Sequence, residues 1–89
     1  MIGKVIVKGF IEVPSEDMDT VLSELPCHIA LTREEEGCLI FEVNPDLTDK
    51  NRFNVYEEFR DKAAFEIHQE RVKNSRWGEV SKNVLRHYS

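Results

Sequence analysis

Residues 51–72, NRFNVYEEFRDKAAFEIHQERV, have the pattern of one strand, a tight turn and one helix. Side chains alternate between the two faces of a strand, so Glu57 falls on the same apolar face as Val55 and Phe59. Asp61 is placed to cap the helix, because its carboxylate can accept from the free N–H groups of the first turn. This unit constrains the fold most, since the helix has to lie back across the sheet to bury its apolar stripe.

The inward stripe of that helix has a single titratable member. Ala64, Phe65, His68 and Val72 fall at positions i, i+1, i+4 and i+8, which form one face of a helix. A helix laid across the sheet brings the His68 imidazole and the Glu57 carboxyl toward the same apolar space. The sequence therefore predicts a pocket under this helix that holds an acid and a base.

Length and charge limit the class of protein. A chain of 89 residues is predicted to form one domain, residues 1–89, because it is too short for two independent cores. Its 12 basic and 17 acidic residues give a net charge of −5, which argues against nucleic acid and anionic membrane surfaces as partners. The N-terminus lacks a long apolar run, so no signal peptide or membrane span is predicted and a cytoplasmic location is expected. The scattered His and Cys residues show no metal-ligand spacing, so no metal site is expected.

The first predicted strand, Lys4 to Val13, has large apolar residues on both faces. Val5, Val7, Ile11 and Val13 share one face, and Ile6 and Phe10 share the other. A sheet that is covered by helices on one side needs only one apolar face. The second face therefore predicts a homodimer in which two sheets pack against each other.

A helix is predicted to begin near Ser15 and to follow the helical period to residue 29. Pro26 lies inside this pattern and removes a backbone donor, so a kink or a restart is expected there. Gly37 is predicted to end the segment in the left-handed conformation. The run Arg33 to Glu36, which includes Glu34 and Glu35, is interpreted as a solvated helix end.

The remaining predicted strands and helix give an order of elements that is typical of a known fold. Cys38 to Asn44 is predicted as a second strand, with Leu39, Phe41 and Val43 on one face. A short helix carrying Trp77 is expected after a cap at Asn74 or Ser75, and Val84 to Tyr88 form a fourth strand. The order β-α-β-β-α-β predicts an α+β, ferredoxin-like split β-α-β fold, an antiparallel four-stranded sheet with helices on one face.

Four segments, residues 28–43, 51–59, 61–72 and 75–88, resemble the antibiotic biosynthesis monooxygenase family of dimeric α+β barrels. The family pattern of Gly-Cys-Leu, Tyr-Glu-x-Trp or Phe, and Ala-x-x-x-His is present as 37–39, 56–59 and 64–68. The Ser-Pro-His-Phe-like segment that follows the helix histidine in many members is absent here. No Asn occurs between residues 1 and 13, and this departs from the haem-degrading members.

The resemblance implies a cofactor-independent monooxygenase whose partners are a small phenolic or quinol-like substrate and molecular oxygen. In such enzymes the substrate supplies its own electrons, and the protein binds the ring, removes a proton and excludes water. His68 is the candidate base, because its ordinary pKa lies near 6.5, and Glu57 is the candidate carboxylate that orients it. Burial raises the pKa of Glu57 and a nearby imidazolium lowers it, and the sequence leaves this balance open.

Six more residues are candidates for substrate binding: Phe59, Phe65 and Trp77 as ring-stacking walls, Arg71 and Arg86 as anion-binding donors, and His28 as a lining residue. Each also has a structural interpretation, because a chain this short needs its aromatic residues for packing. For Arg86 an interface or surface role is the alternative. For His28, capping or exposure to solvent is favoured.

Two other functions remain open. The same His68 could serve an isomerase or another proton-transfer enzyme acting on a small oxygenated metabolite without oxygen. The chain could also be a non-catalytic dimeric module that binds a small molecule. Turnover without oxygen distinguishes the first alternative, and loss of His68 without loss of ligand affinity distinguishes the second.

Overall fold

A computed structural model of the chain describes residues 3–88. The elements are β1 (Val5–Glu12), a 3-10 turn (Ser15–Asp17), α1 (Met18–Arg33), β2 (Cys38–Pro45), β3 (Arg52–Phe59), α2 (Lys62–Lys73), α3 (Arg76–Val80) and β4 (Leu85–Tyr88). Met1, Ile2 and Ser89, which belong to the predicted domain 1–89, lie outside the described residues. The extent of that domain stays a prediction.

The four strands form one antiparallel sheet in the order β2-β3-β1-β4, with the helices on one face. This arrangement confirms the predicted α+β, ferredoxin-like fold. β1 and β3 are the central strands, and Val7 of β1 lies opposite Glu57 of β3. β4 extends the sheet on the far side of β1, so Tyr88 lies opposite Gly9.

The core lies between the sheet and the helices. Its larger part joins α1 and α3 to the sheet, and the partly buried Val72 of α2 packs against it. The buried apolar side chains of this part are Ile11, Val13, Val21, Leu25, Phe53, Val55, Trp77 and Val84. A smaller part, made by Phe41, Phe59 and Ala64, lies under the N-terminal half of α2. On the inner face of β1, β2 and β3 the buried side chains are therefore apolar except for Glu57.

Two predicted helix caps are confirmed. The Asp61 side chain accepts a hydrogen bond from the backbone N–H of Ala64 at 2.8 Å and begins α2. Ser75, rather than Asn74, caps α3 by accepting from the N–H of Gly78 at 3.2 Å. These caps satisfy donors that the first turn of a helix otherwise leaves free.

β2 contains a bulge at Leu39 that simple alternation does not predict. Cys38 pairs with Phe59, and Ile40 pairs with the residue next to it in β3, so Leu39 is an extra residue in the ladder. Cys38 consequently packs on the core side, and Leu39 is exposed. The expectation that Leu39 shares the face of Phe41 is therefore wrong.

The end of α1 also differs from the prediction. α1 is one continuous helix with Pro26 inside it, so no restart occurs. It ends at Arg33, and Gly37 does not have a positive φ, so the predicted left-handed stop is wrong. A Cβ at position 37 would lie 2.3 Å from the Cβ of Ala64 in α2. Glycine is required there because the turn before β2 packs directly on α2.

Gly9 is needed to hold β4 in the sheet. Its φ is +153°, and a Cβ at this position would lie 2.0 Å from the backbone oxygen of His87. We expect a Gly9→Ala variant to lose about 1–3 kcal/mol in free energy of unfolding, measured by urea denaturation, because the backbone would be strained and β4 displaced. Gly3→Ala is the control, because its added Cβ meets no atom within 4 Å. Equal stability of the two variants would contradict this account.

Candidate functional site

A pocket of about 300 Å³ lies between α2, α3 and the inner face of the sheet. This α2 pocket is lined by both predicted catalytic residues, His68 and Glu57, and by four of the six predicted binding residues, namely Phe65, Trp77, Arg86 and His28. Its volume is at the lower end of the range of small-molecule sites. The site predicted from the pattern of residues 51–72 is therefore an open space rather than solid packing.

The carboxylate that binds His68 is Glu35 and not Glu57. The Nδ1 atom of His68 lies 3.1 and 3.2 Å from the two carboxylate oxygens of Glu35. Both side chains are largely buried, with 8% of His68 and 13% of Glu35 exposed. The interpretation of residues 33–36 as a solvated run is therefore wrong for Glu35. Because Gly37 packs on Ala64, one turn before His68, Glu35 is brought against the imidazole.

Glu35 is itself held by a second partner. Arg71 donates from Nε to Glu35 at 2.5 Å and from Nη2 to the hydroxyl of Thr32 at 2.8 Å. The Thr32 hydroxyl in turn donates to the backbone oxygen of His28 at 2.8 Å. These bonds join α1 to α2 and fix the carboxylate. Arg71 does not line the α2 pocket, so its predicted role as an anion-binding donor is not supported by its position.

Phe59 is the other predicted binding residue that the pocket excludes. Its side chain is fully buried, and its ring centroid lies 4.8 Å from that of His68. It packs beneath the imidazole as part of the core with Phe41 and Ala64. The structural interpretation, packing rather than substrate contact, therefore applies to Phe59.

His28 is buried, contrary to the expectation of a capping or exposed role. Its ring stacks on Trp77 with a centroid distance of 4.5 Å and an interplanar angle of 6°. Burial, together with the charges of His68, Arg71 and Arg86, lowers the pKa of His28 to about 3. His28 is therefore neutral at neutral pH, and its Nδ1 is buried without a hydrogen-bond partner among residues 3–88.

Burial has a larger effect on the pKa of Glu57 than the nearby positive charge, a question that the sequence left open. It raises the pKa of Glu57 to about 7, and the charge of Arg86 only partly opposes this rise. Burial lowers the pKa of His68, although the bond to Glu35 acts in the other direction. Near neutral pH the α2 pocket thus contains an unprotonated imidazole and a carboxyl group that is protonated in a large share of molecules.

The sequence interpretation missed several residues of the α2 pocket. Gln69 and Lys73 in α2 continue the spacing of four residues from Phe65, so a wider inward face would have included them. Tyr88 shares a face of β4 with Arg86, and burial raises the pKa of its phenol to about 12, so it stays protonated. Glu35 lies seven residues after His28 and three after Thr32, so it continues the buried stripe of α1, but the acidic run Glu34 to Glu36 conceals this signal.

A Glu35→Gln variant tests the orienting bond. The amide cannot balance the charge of Arg71, so we expect the pKa of His68 to fall further and the protein to lose about 1–3 kcal/mol in free energy of unfolding. Histidine ring signals in an NMR pH titration and urea denaturation measure the two effects. Glu36→Gln removes the same charge at an exposed position and serves as the control. An unchanged pKa of His68 in Glu35→Gln would contradict the assignment.

Neither a metal cluster nor a membrane-crossing helix is found in the described part of the chain. Within residues 3–88 no three His, Cys, Asp or Glu side chains are grouped so that they could hold a metal ion. No helix in that range is long and apolar enough to span a membrane.

Known structures share this fold. A conserved protein of unknown function from Bacteroides thetaiotaomicron VPI-5482, suggested to be an oxidoreductase, aligns with a TM-score of 0.80 at 13% identity over 100% of this chain and 94% of that chain. A candidate antibiotic biosynthesis monooxygenase from Nitrosomonas europaea aligns with a TM-score of 0.81 at 13% identity, covering 100% and 86%. Another from Deinococcus radiodurans gives 0.76 at 23% identity, covering 94% and 84%. At these identities the likeness shows the fold alone.

The family assignment comes from the sequence itself. No curated protein matches the chain significantly. The model of the antibiotic biosynthesis monooxygenase family matches residues 4–77, which include β1 to α2 and the start of α3. The match contains Glu35, Glu57 and His68 and ends at Trp77. The chain therefore belongs to the antibiotic biosynthesis monooxygenase family.

Proposed function

We propose that this protein is a cofactor-independent monooxygenase that acts on a small phenolic or quinol-like molecule in the α2 pocket. The observation that carries the proposal is the imidazole of His68, which lines the pocket with its Nδ1 3.1 Å from the buried carboxylate of Glu35. A base held in this way can remove a proton from a phenol near neutral pH.

The first step is proton removal. Because Nδ1 of His68 is bound to Glu35, Nε2 is the ring nitrogen left to accept the phenolic proton. Glu35 stabilises the imidazolium that forms, as a carboxylate does behind a catalytic histidine. The lowered pKa of His68 keeps the ring unprotonated in the resting site.

The substrate supplies the electrons for the second step. A ring carbon that carries hydrogen, ortho or para to the phenolate oxygen, binds O2 and becomes a hydroperoxide, with the proton returned by His68. His68 then takes the hydrogen of that carbon as a proton while the O–O bond breaks. The protonated carboxyl of Glu57 gives a proton to the departing hydroxide, so a phenol and O2 yield a quinone and water.

The walls of the α2 pocket suit a flat ring. Trp77 and Phe65 line it, and the stack of His28 on Trp77 holds the indole in place. Aromatic walls of this kind bind a conjugated ring by offset or edge contacts. Their apolar surface also excludes water from the reacting carbon.

Labelled oxygen tests the proposal. Purified protein is incubated with a panel of hydroquinones and phenols under ¹⁸O2, and the product is analysed by mass spectrometry. We expect one ¹⁸O atom in the quinone and no turnover under strictly anaerobic conditions. Turnover that persists at the same rate without oxygen, or binding without any turnover across the panel, would overturn the oxygenase proposal.

A proton-transfer isomerase is the second candidate. It is favoured by the presence of an unprotonated base, His68, and a carboxyl group with a raised pKa, Glu57, in one pocket. Such a pair can remove a proton at one carbon and deliver another elsewhere in the same molecule. Exchange of substrate hydrogen with D2O under anaerobic conditions identifies this activity.

We also propose that the protein is a homodimer that packs through the outer face of the sheet. In the single chain this face leaves Ile6 47% exposed and Leu85 59% exposed. Sheets with an apolar outer face are normally covered by another layer. The cytoplasmic location stays a prediction from the sequence.

An Ile6→Lys variant is expected to be monomeric at micromolar concentration in sedimentation velocity, whereas the unmodified protein is expected to be a dimer. Burying an unpaired ammonium between two sheets costs several kcal/mol, on the order of the cost of other unpaired buried charges. Ile67→Lys is the control, because Ile67 is 65% exposed but lies on α2, away from the sheet face. A monomeric unmodified protein, or equal disruption by both variants, would contradict the proposed interface.

A further inference from the structure

Two cationic side chains line the α2 pocket from different elements. Lys73 is the last residue of α2, and Arg86 lies in β4. Both residues are exposed to solvent. The pocket is thus bounded by positive charge in a chain whose net charge is −5.

Neither cation is neutralised within the part of the chain that the structure describes. Arg86 hydrogen-bonds uncharged groups: the Ser81 backbone oxygen at 3.4 Å, the Val84 backbone oxygen at 3.3 Å, the Ser81 hydroxyl at 3.0 Å and the phenol of Tyr88. No carboxylate of residues 3–88 forms an ion pair with Arg86 or Lys73. Arg71, in contrast, is paired with Glu35, and this distinguishes a structural arginine from one that remains available.

The carboxyl group that lines the pocket does not cancel this charge. Burial raises the pKa of Glu57 to about 7, so the group is neutral in a large share of molecules near that pH. The α2 pocket therefore carries an excess of positive charge in its resting state. A permanent charge of this kind favours a ligand that is already anionic when it binds.

The geometry also favours an oxyanion. Hydrogen bonds to Ser81, Val84 and Tyr88 hold the guanidinium of Arg86 in place, and these bonds do not use all five of its N–H donors. A guanidinium in a fixed position recognises carboxylate or phosphate oxygens, and a flexible ammonium such as that of Lys73 can close on the same group. We propose that the substrate of the α2 pocket is a ring that carries an anionic oxygen group, a carboxylate or a phosphate monoester, held between Arg86 and Lys73. This inference rests on the proposed function only for the identity of the ring.

Binding without turnover tests the proposal. Isothermal titration under anaerobic conditions compares 2,5-dihydroxybenzoate, its uncharged methyl ester and 4-hydroxyphenyl phosphate. We expect one or both anions to bind about 10-fold or more tightly than the ester, which is the scale of a charge-assisted hydrogen bond. The preferred anion distinguishes a carboxylate from a phosphate ligand. The affinity for the anions should fall as salt is raised from low to physiological ionic strength, while that of the ester stays constant.

Variants of Lys73 and Arg86 test whether these two cations cause the difference in affinity between the anions and the ester. Lys73→Gln and Arg86→Gln are each expected to weaken binding of the preferred anion by about 10-fold and to leave the ester unaffected. Lys62→Gln removes the same charge from the exposed beginning of α2, outside the pocket, and should change nothing. Arg86→Gln removes hydrogen bonds of β4 and can destabilise that strand. Lys73 is exposed, so Lys73→Gln should fold and allow the test to be made in either case.

The outcomes separate this proposal from the proposed function. Equal affinity for acid and ester, absence of binding by all three probes, or an equal effect of Lys62→Gln would overturn the anionic-substrate proposal and leave the oxygen test unaffected. Charge-selective binding that depends on Lys73 supports it even if the ¹⁸O2 experiment shows no oxygenation.

Discussion

A His68→Gln variant is expected to lose about 10²–10⁴-fold in kcat, the usual contribution of a positioned general base. Glutamine has a similar length and remains neutral, so it cannot take a proton from a phenol near neutral pH. Phe59 and Phe41 lose their ring contacts with the imidazole, but they stay packed in one cluster with Ala64. The change should therefore appear in turnover rather than in the fold.

Steady-state oxygen consumption measures the kcat of the His68 variant, and thermal unfolding measures the stability of its fold. Ile67→Gln is the control, because it introduces the same side chain at the adjacent position of α2, which is 65% exposed and outside the pocket. We expect full activity from the control. A His68→Gln enzyme that retains activity within a few-fold would show that the imidazole is a core residue and not the base.

The pH dependence of kcat/KM is a second test of His68 as the base. Burial lowers the pKa of His68, so the unprotonated base persists at pH values below the ordinary histidine pKa of about 6.5. The acidic limb of kcat/KM should therefore lie below pH 6.5 in the unmodified protein. Removal of the Glu35 charge should move it lower still, because Arg71 would face the imidazole without a counter-charge.

A Glu57→Gln variant is expected to be more stable than the unmodified protein at pH 8, by about 3 kcal/mol, and equally stable at pH 4. The pKa of Glu57 is raised from 4.5 to about 7 in the folded state. A raised pKa contributes stability that is fully present below 4.5 and is lost as the pH rises through about 7. The amide mimics the neutral carboxyl at every pH, so it avoids that loss.

The titration of His28 makes the protein more stable as the pH rises, opposite to the effect of Glu57. The Glu57→Gln variant should reveal this dependence. The pKa of His28 is lowered to about 3 in the folded state, so its contribution is full above about 6.5 and is lost as the pH falls toward 3. In the unmodified protein the two trends oppose each other between pH 4.5 and 6.5. In Glu57→Gln the stability should rise steadily with pH over that range.

Urea denaturation at a series of pH values from 4 to 8 measures these effects. The neighbouring Glu58 provides a sharp control, because its carboxylate accepts hydrogen bonds from Tyr56 and Lys4 and its pKa is lowered. Glu58→Gln should therefore reduce stability at pH 8, opposite in sign to Glu57→Gln. Glu57→Gln that destabilises the protein at pH 8 would show that Glu57 is ionised and paired in the folded state.

Much of the fold follows from local patterns. The alternation in β1 and β3 and the helical period of α2 determine which residues face inward, and Asp61 determines where α2 begins. Those patterns also place His68 and Glu57 in one space, because both lie on the apolar face of their element. The same logic fails at Leu39, where one extra residue in β2 reverses the alternation.

The sequence by itself determined the elements, their order and the acid and base that line the α2 pocket, since each depends on the polarity of residues close together in the chain. Only the tertiary structure decided that Glu35 binds His68, that Arg71 is paired with the same carboxylate, and that His28 is buried. Such pairings join segments more than 30 residues apart. They depend on how closely a turn approaches a helix, here through the missing Cβ of Gly37, and polarity patterns carry no information about that distance.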